Sequence, residues 1–257
     1  MGLFTLALLV ASGEASSSAF TGTWLIDIPS SMTDAEPERY SVKQGMFKRG
    51  GSKGGVIVRA DGRYHKIPSD GYVDEVAISS LDRRSVREFD RLDGKLVYTV
   101  SYLVSPGGNS MVEKVTDYTK PDHRPVRTTI THHRVGPLRR SRALLTGQWR
   151  VEGLSTTKSH LTEVLRLEGN HFISADPAGV GYDAIIGGVP VPISGDAADA
   201  RAAVRMPNDR TVIVQMSRSG KPTVKITMTM QRGGSSIRVA ARRENEVVDT
   251  SWVMHRL

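Results

Sequence analysis

The sequence predicts an all-β chain built as two tandem copies of one antiparallel β-barrel domain. Three observations carry this. Runs of β-branched and aromatic residues alternate with polar ones at period two, turn residues divide the runs at spacings of roughly 8–12 residues, and short motifs return at a nearly constant offset.

The repeat is read first. Phe20-Thr21-Gly22-Thr23-Trp24 returns as Leu145-Thr146-Gly147-Gln148-Trp149, an offset of 125. Arg84-Ser85-Val86 matches Arg210-Thr211-Val212, Asp93-Gly94-Lys95 matches Ser219-Gly220-Lys221, and Pro106-Gly107-Gly108 matches Arg232-Gly233-Gly234, all at 126. Both copies end alike, on His133-Arg134-Val135 and His255-Arg256-Leu257. The copies therefore span 20–135 and 145–257, joined by an Arg-rich linker over 136–144 that holds Arg139, Arg140 and Arg142. Ahead of them, residues 1–19 carry the apolar run Leu3–Val10 and then small residues to Ala19, the pattern of a secretory signal peptide. The first basic residue, though, is Arg39. The expectation is export, to the periplasm or beyond the cell.

Within each copy the elements read as strands. Leu96–Val104 lies between the Gly94 turn and the Pro106-Gly107-Gly108 turn. Its counterpart Val224–Met230 puts Val224, Ile226, Met228 and Met230 on one face and Lys225, Thr227 and Thr229 on the other. Val212–Met216 precedes it across a turn, which predicts a hairpin. No stretch has helical periodicity beyond a short turn expected at Asp196–Ala203.

Composition narrows the class. Hydrophobic content of 39% supports packed cores, and no run reaches the roughly 18 apolar residues of a spanning helix. The absence of cysteine excludes disulfides, thiolate zinc sites and cysteine nucleophiles. A net charge of +8 and a pI near 9.8 come from basic residues spread along the chain. Spread charge implies weak contact with an anionic polymer or membrane surface, not a specific nucleic-acid partner.

The Gly-x-Trp of each opening strand, with an Arg on each closing strand, resembles the signature of lipocalin-like (calycin) barrels. More narrowly, Phe20–Asp27 and Asp61-Gly62-Arg63 resemble exported bacterial lipocalin-like proteins, although the Tyr that precedes the mid-domain turn in that group is replaced by Ala60. The resemblance implies that a Trp plugs the closed end of each barrel under an Arg, pairing Trp24 with Arg134 and Trp149 with Arg256.

Candidate chemistry is sparse. His132 and His133 are neighbours on a strand and point to opposite faces, so they cannot chelate one ion, and no metal site or cofactor is expected. Arg49–Gly55 is glycine-rich but lacks phosphate-loop spacing, and no nucleophile elbow is present. In the repeat alignment Glu88 and Asp90 fall where the second copy has Val214 and Met216. Glu88 is therefore a candidate lumen carboxylate, a ligand anchor or weak catalytic acid or base. The competing register turns Phe89 inward and Glu88 outward between Arg87 and Arg91, and those flanking cations favour it. Tyr98 and Tyr102 share a face and offer hydroxyls, while Met228 and Met230 offer an adaptable apolar lining.

The function expected from this is binding of a small apolar or lipid-like molecule in one or both lumens, without catalysis. The alternatives are an enzyme using a lumen carboxylate, as an isomerase, cyclase or hydrolase would, and a surface module for polymers or anions.

Overall fold

The computed structural model describes residues 19–27, 37–50, 55–68, 72–138, 143–196, 199–244 and 250–257. The leader expected over 1–19 lies almost wholly outside the described residues, as do 51–54 of the glycine-rich segment and 139–142 of the linker. The strands in chain order are β1 (Gly22–Asp27), β2 (Glu38–Lys43), β3 (Met46–Arg49), β4 (Val56–Arg59), β5 (Asp61–Lys66), β6 (Glu75–Ser80), β7 (Ser85–Leu92), β8 (Lys95–Val104), β9 (Ser110–Asp117) and β10 (Val126–Val135). They continue as β11 (Gly147–Ser155), β12 (Thr162–Glu168), β13 (His171–Ala175), β14 (Gly181–Ile185), β15 (Val191–Pro192), β16 (Ala200–Asn208), β17 (Thr211–Arg218), β18 (Lys221–Met230), β19 (Ser236–Arg243) and β20 (Thr250–Arg256). Two antiparallel sheets of ten strands result, each curled into a nearly closed barrel.

The repeat is visible in the turns. Asp93-Gly94 and Ser219-Gly220 both have φ near +50° and +75°, the backbone of a two-residue hairpin turn that suits the strand twist. Both copies shift register at one place, after Asp90 and after Met216. The helical turn expected at Asp196–Ala203 is not formed at its C-terminal half: Ala200, Ala202 and Val204 alternate inward on β16, so the period is two. A 3-10 turn occurs instead at Lys158–Leu161.

The barrels do not coincide with the sequence copies. β1 pairs with β12 and β20, whereas β11 pairs with β10 and β2. Each copy has given its opening strand to the other. The first barrel is therefore one continuous stretch, β2 to β11, and the second is β1 together with β12 to β20. The cores follow suit. Phe20 and Trp24 pack with Leu165, Phe172, Val214 and Met254, while Leu145 and Trp149 pack with Tyr40, Phe47, Val86 and Met111.

This exchange corrects the Trp–Arg pairing expected from the resemblance. Arg134 stands opposite Trp149 with its guanidinium 4.2 Å from the ring, and Arg256 stands opposite Trp24 at 4.3 Å. Arg134 donates to the carbonyls of Gly108, Thr146 and Leu144. The glycine of each motif makes room for this. A Cβ at Gly147 would meet Arg134 Nη1 at 2.1 Å, and one at Gly22 would meet Arg256 Nη1 at 2.4 Å.

Chain direction places the remaining parts. β1 and β11 both run away from their Trp plugs, so each ends on the side of its barrel opposite the plug. The contacts between barrels lie at those ends as well. The Arg218 guanidinium stacks 3.7 Å from the Tyr72 ring, and a Cβ at Gly195 would meet Pro121 Cγ at 2.3 Å. The barrels meet mouth to mouth.

Candidate functional site

The inward face of β7 decides the register question. Val86, Glu88 and Asp90 are buried while Arg87 is exposed, so the outward-Glu88 register favoured by the flanking arginines is overturned. Alternation from Val86 and pairing with the buried Val100 and Tyr102 of β8 outweigh the preference of two arginines for solvent, since Arg87 still reaches it and Arg91 stacks 3.6 Å from the Tyr64 ring.

Glu88 is 0% exposed and belongs to a polar cluster inside the first barrel. Tyr102 donates its hydroxyl to Glu88 Oε2 at 2.8 Å. Arg49 Nη1 donates to the same oxygen at 2.8 Å and to the Tyr102 hydroxyl at 2.6 Å. Arg49 is the last residue of β3, and its side chain keeps 24% exposure while pairing with the buried acid. Glu88 Oε1 has no hydrogen-bond partner among the described residues. Beside this trio, His132 Nε2 sits 2.9 Å from Glu113 Oε2, leaving the buried Nδ1 without a partner. Tyr40 donates to Glu38 Oε2 at 2.6 Å.

The electrostatics follow from burial. Desolvation raises Tyr102, with Glu88 adding to it, and raises Tyr40, with Glu113 and Glu38 adding to it; both phenols stay protonated donors. Burial opposes the charge on Arg49, but Tyr102 and Glu88 beside it hold its pKa well above the usual value. Glu38 is raised mainly by desolvation, against the lowering effect of Tyr40.

The second lumen is different at the same places. Register puts Val214 where the first barrel has Glu88, Met228 for Tyr102, Val239 for Glu113, Met254 for His132 and Ser174 for Arg49. Met228 and Met230 are both buried in its apolar core. One acid is shared: Glu163 occupies the place of Glu38, opposite the plugging Trp. Desolvation raises its pKa, against the hydrogen bond that Ser174 Oγ donates at 2.6 Å.

The structure thus brings Glu88 and Tyr102 together, places half-buried Tyr98 on the same strand toward the mouth, and puts Met228 and Met230 in the other barrel. Sequence reasoning missed Arg49, Glu113, Glu38 and Tyr40, and weighed His132 only as a metal ligand. The repeat alignment held the signal for two of them, since Glu113 against Val239 and His132 against Met254 are the same kind of polar-for-apolar exchange that exposed Glu88. Among the described residues no group of three or more His, Asp or Glu is arranged to hold a metal ion. No protein-family model matches the chain, and no curated protein matches its sequence.

Proposed function

We propose that the chain is an exported small-molecule-binding protein of lipocalin-like type, whose first barrel holds the ligand and whose second barrel is an apolar counterpart closing the mouth. One observation carries the reading. A fully buried carboxylate oxygen, Glu88 Oε1, lies without a partner where the sister barrel has a valine. A fold that accepts valine there gains nothing from a desolvated acid, and an unmet buried acceptor costs on the order of 1–3 kcal/mol. A ligand that brings a hydrogen-bond donor or a positive charge to Glu88 Oε1 would remove that cost. The polar lining of the first lumen favours such a ligand over a purely apolar one.

The test is native mass spectrometry of the protein purified from its own host, compared with the denatured mass. The expected result is an extra mass that is lost on unfolding and lost in Glu88→Gln. A bare mass for both proteins under gentle conditions overturns the carrier reading. A second reading, an enzyme using Glu88 as acid or base, is favoured by the same free oxygen beside the Tyr102 hydroxyl. A bound mass that changes chemically on incubation with the wild type, but not with Glu88→Gln, would select it.

A further inference from the structure

The outer face of the first barrel carries a second feature, independent of the lumen. Strands β7 to β10 present their outward side chains in two cross-strand rows. Arg87, Ser101, Lys114 and Thr129 are successive register partners in one row, and Phe89, Thr99, Thr116 and Arg127 in the next. Between them runs a shallow groove of about 570 Å³, with Tyr118 at its edge. Neither row holds an acid. Arg87, Lys114 and Arg127 are exposed and make no ion pair among the described residues. Neighbouring strands lie about 4.8 Å apart, so Arg87 and Lys114 sit roughly 10 Å from each other across a hydroxyl floor.

The sister barrel distributes its outer charge differently. Ile213 stands in the place of Arg87 and Ala240 in the place of Lys114, while Lys225 and Arg242 take the places of Thr99 and Thr116. Three exposed cations brought together by the register raise local self-repulsion, which a bound anionic partner would relieve.

We propose that this groove binds an extended acidic polysaccharide. Its carboxylates would meet Arg87, Lys114 and Arg127, its ring hydroxyls would bond the Ser and Thr rows, and a sugar face would rest on Phe89 and Tyr118. The hydroxyl floor is what separates a glycan from nucleic acid here. Nucleic acid draws its affinity from many phosphate contacts and from base stacking on open aromatic rings. The groove supplies three cations, and Phe89 is half-buried.

The experiment measures binding of the full chain to immobilised polygalacturonate, with neutral dextran and single-stranded DNA of equal length as comparisons. Polygalacturonate is expected to be retained, to weaken as salt rises, and to exceed both comparisons. Arg87→Ser/Lys114→Ser/Arg127→Ser should weaken it at least tenfold with an unchanged circular dichroism spectrum. A control of equal charge change, Arg205→Ser/Lys225→Ser/Arg238→Ser on the outside of the second barrel, should leave it within twofold. Equal losses in the two triple variants would assign the binding to net charge and overturn the proposal. So would DNA or dextran binding as tightly as polygalacturonate, or no retention of polygalacturonate at low salt.

Discussion

Replacing the two plugging tryptophans one at a time tests the exchange of opening strands directly. Trp24 lies in the first sequence copy but is fully buried in the second barrel, and Trp149 lies in the second copy but is buried in the first barrel. Truncating a buried Trp to Ala costs about 3–5 kcal/mol. Each change here also removes the hydrogen bond to a backbone carbonyl, at 2.9 Å for Trp24 and 2.8 Å for Trp149, and the surface on which an arginine stacks. Against a domain stability of about 5–15 kcal/mol, the open population of the affected barrel should rise by roughly a hundred- to several-thousandfold. Hydrogen exchange followed by peptide mass spectrometry reads where. Trp24→Ala should accelerate exchange in 162–256 and leave 38–155 near the wild-type rate, while Trp149→Ala should act first on 38–155. The opposite assignment, with Trp24→Ala opening 38–135, would refute the exchanged pairing and restore the barrels to the sequence copies.

Further outcomes follow from the same geometry. Arg49→Ser alone strands the buried Glu88 and should destabilise the first barrel by about 3–5 kcal/mol, whereas Arg49→Ser/Glu88→Val/Tyr102→Met, which copies Ser174, Val214 and Met228, should recover most of that loss; denaturant unfolding of the two variants compares them, and a triple variant less stable than the single one would contradict the argument. Gly147→Ala should destabilise the first barrel and Gly22→Ala the second, each by about 1–3 kcal/mol, since the added Cβ drives into an arginine fixed on its Trp; thermal unfolding of both variants checks this. Because burial raises the folded-state pKa of Glu38 and Glu163, their contribution to stability is full at acid pH and is lost as pH rises through those raised values. Glu38→Gln and Glu163→Gln should each flatten that fall in a stability–pH series, and a steeper fall in either would reverse the sign. Asp82, held low by the Arg84 amide and Ser85, acts oppositely, its contribution disappearing as pH falls through its lowered value.

Strands and turns were legible because their causes are local. Period-two alternation over Val224–Met230 and the positive-φ pair Ser219-Gly220 each act within a few residues. The exchange of β1 and β11 was not legible, because Gly-x-Trp is the same motif in both copies and either strand satisfies either barrel. The motif itself carries nothing that selects the partner. The inward turn of Glu88 was half legible. The alignment placed it opposite Val214, but the flanking Arg87 and Arg91 pointed the other way, and the stabilising partner, Arg49, lies 39 residues earlier on a strand with no polar pattern of its own. A buried ion pair is written in two distant places, and each half read alone resembles a surface residue.

The exchange also sets an order on folding. All ladders of the first barrel close within 38–155. The second must bring Thr21 to Arg256 across 235 residues. Once the first barrel is folded, its crossovers hold the end of β1 near the start of β12, and the effective loop shrinks to those two short segments. If the first barrel opens, that brace becomes a flexible loop of more than a hundred residues, which costs the second barrel about 2 kcal/mol in closure entropy. The coupling is mutual, since a folded second barrel holds the same two chain ends together for the first. Trp149→Ala should raise exchange strongly in 38–155 and Trp24→Ala strongly in 162–256, each with only a small rise in the other barrel. The barrel whose ladders close within 38–155 carries Glu88, Glu113 and Glu38 inside, whereas the other keeps one desolvated acid, Glu163, in an otherwise largely apolar interior.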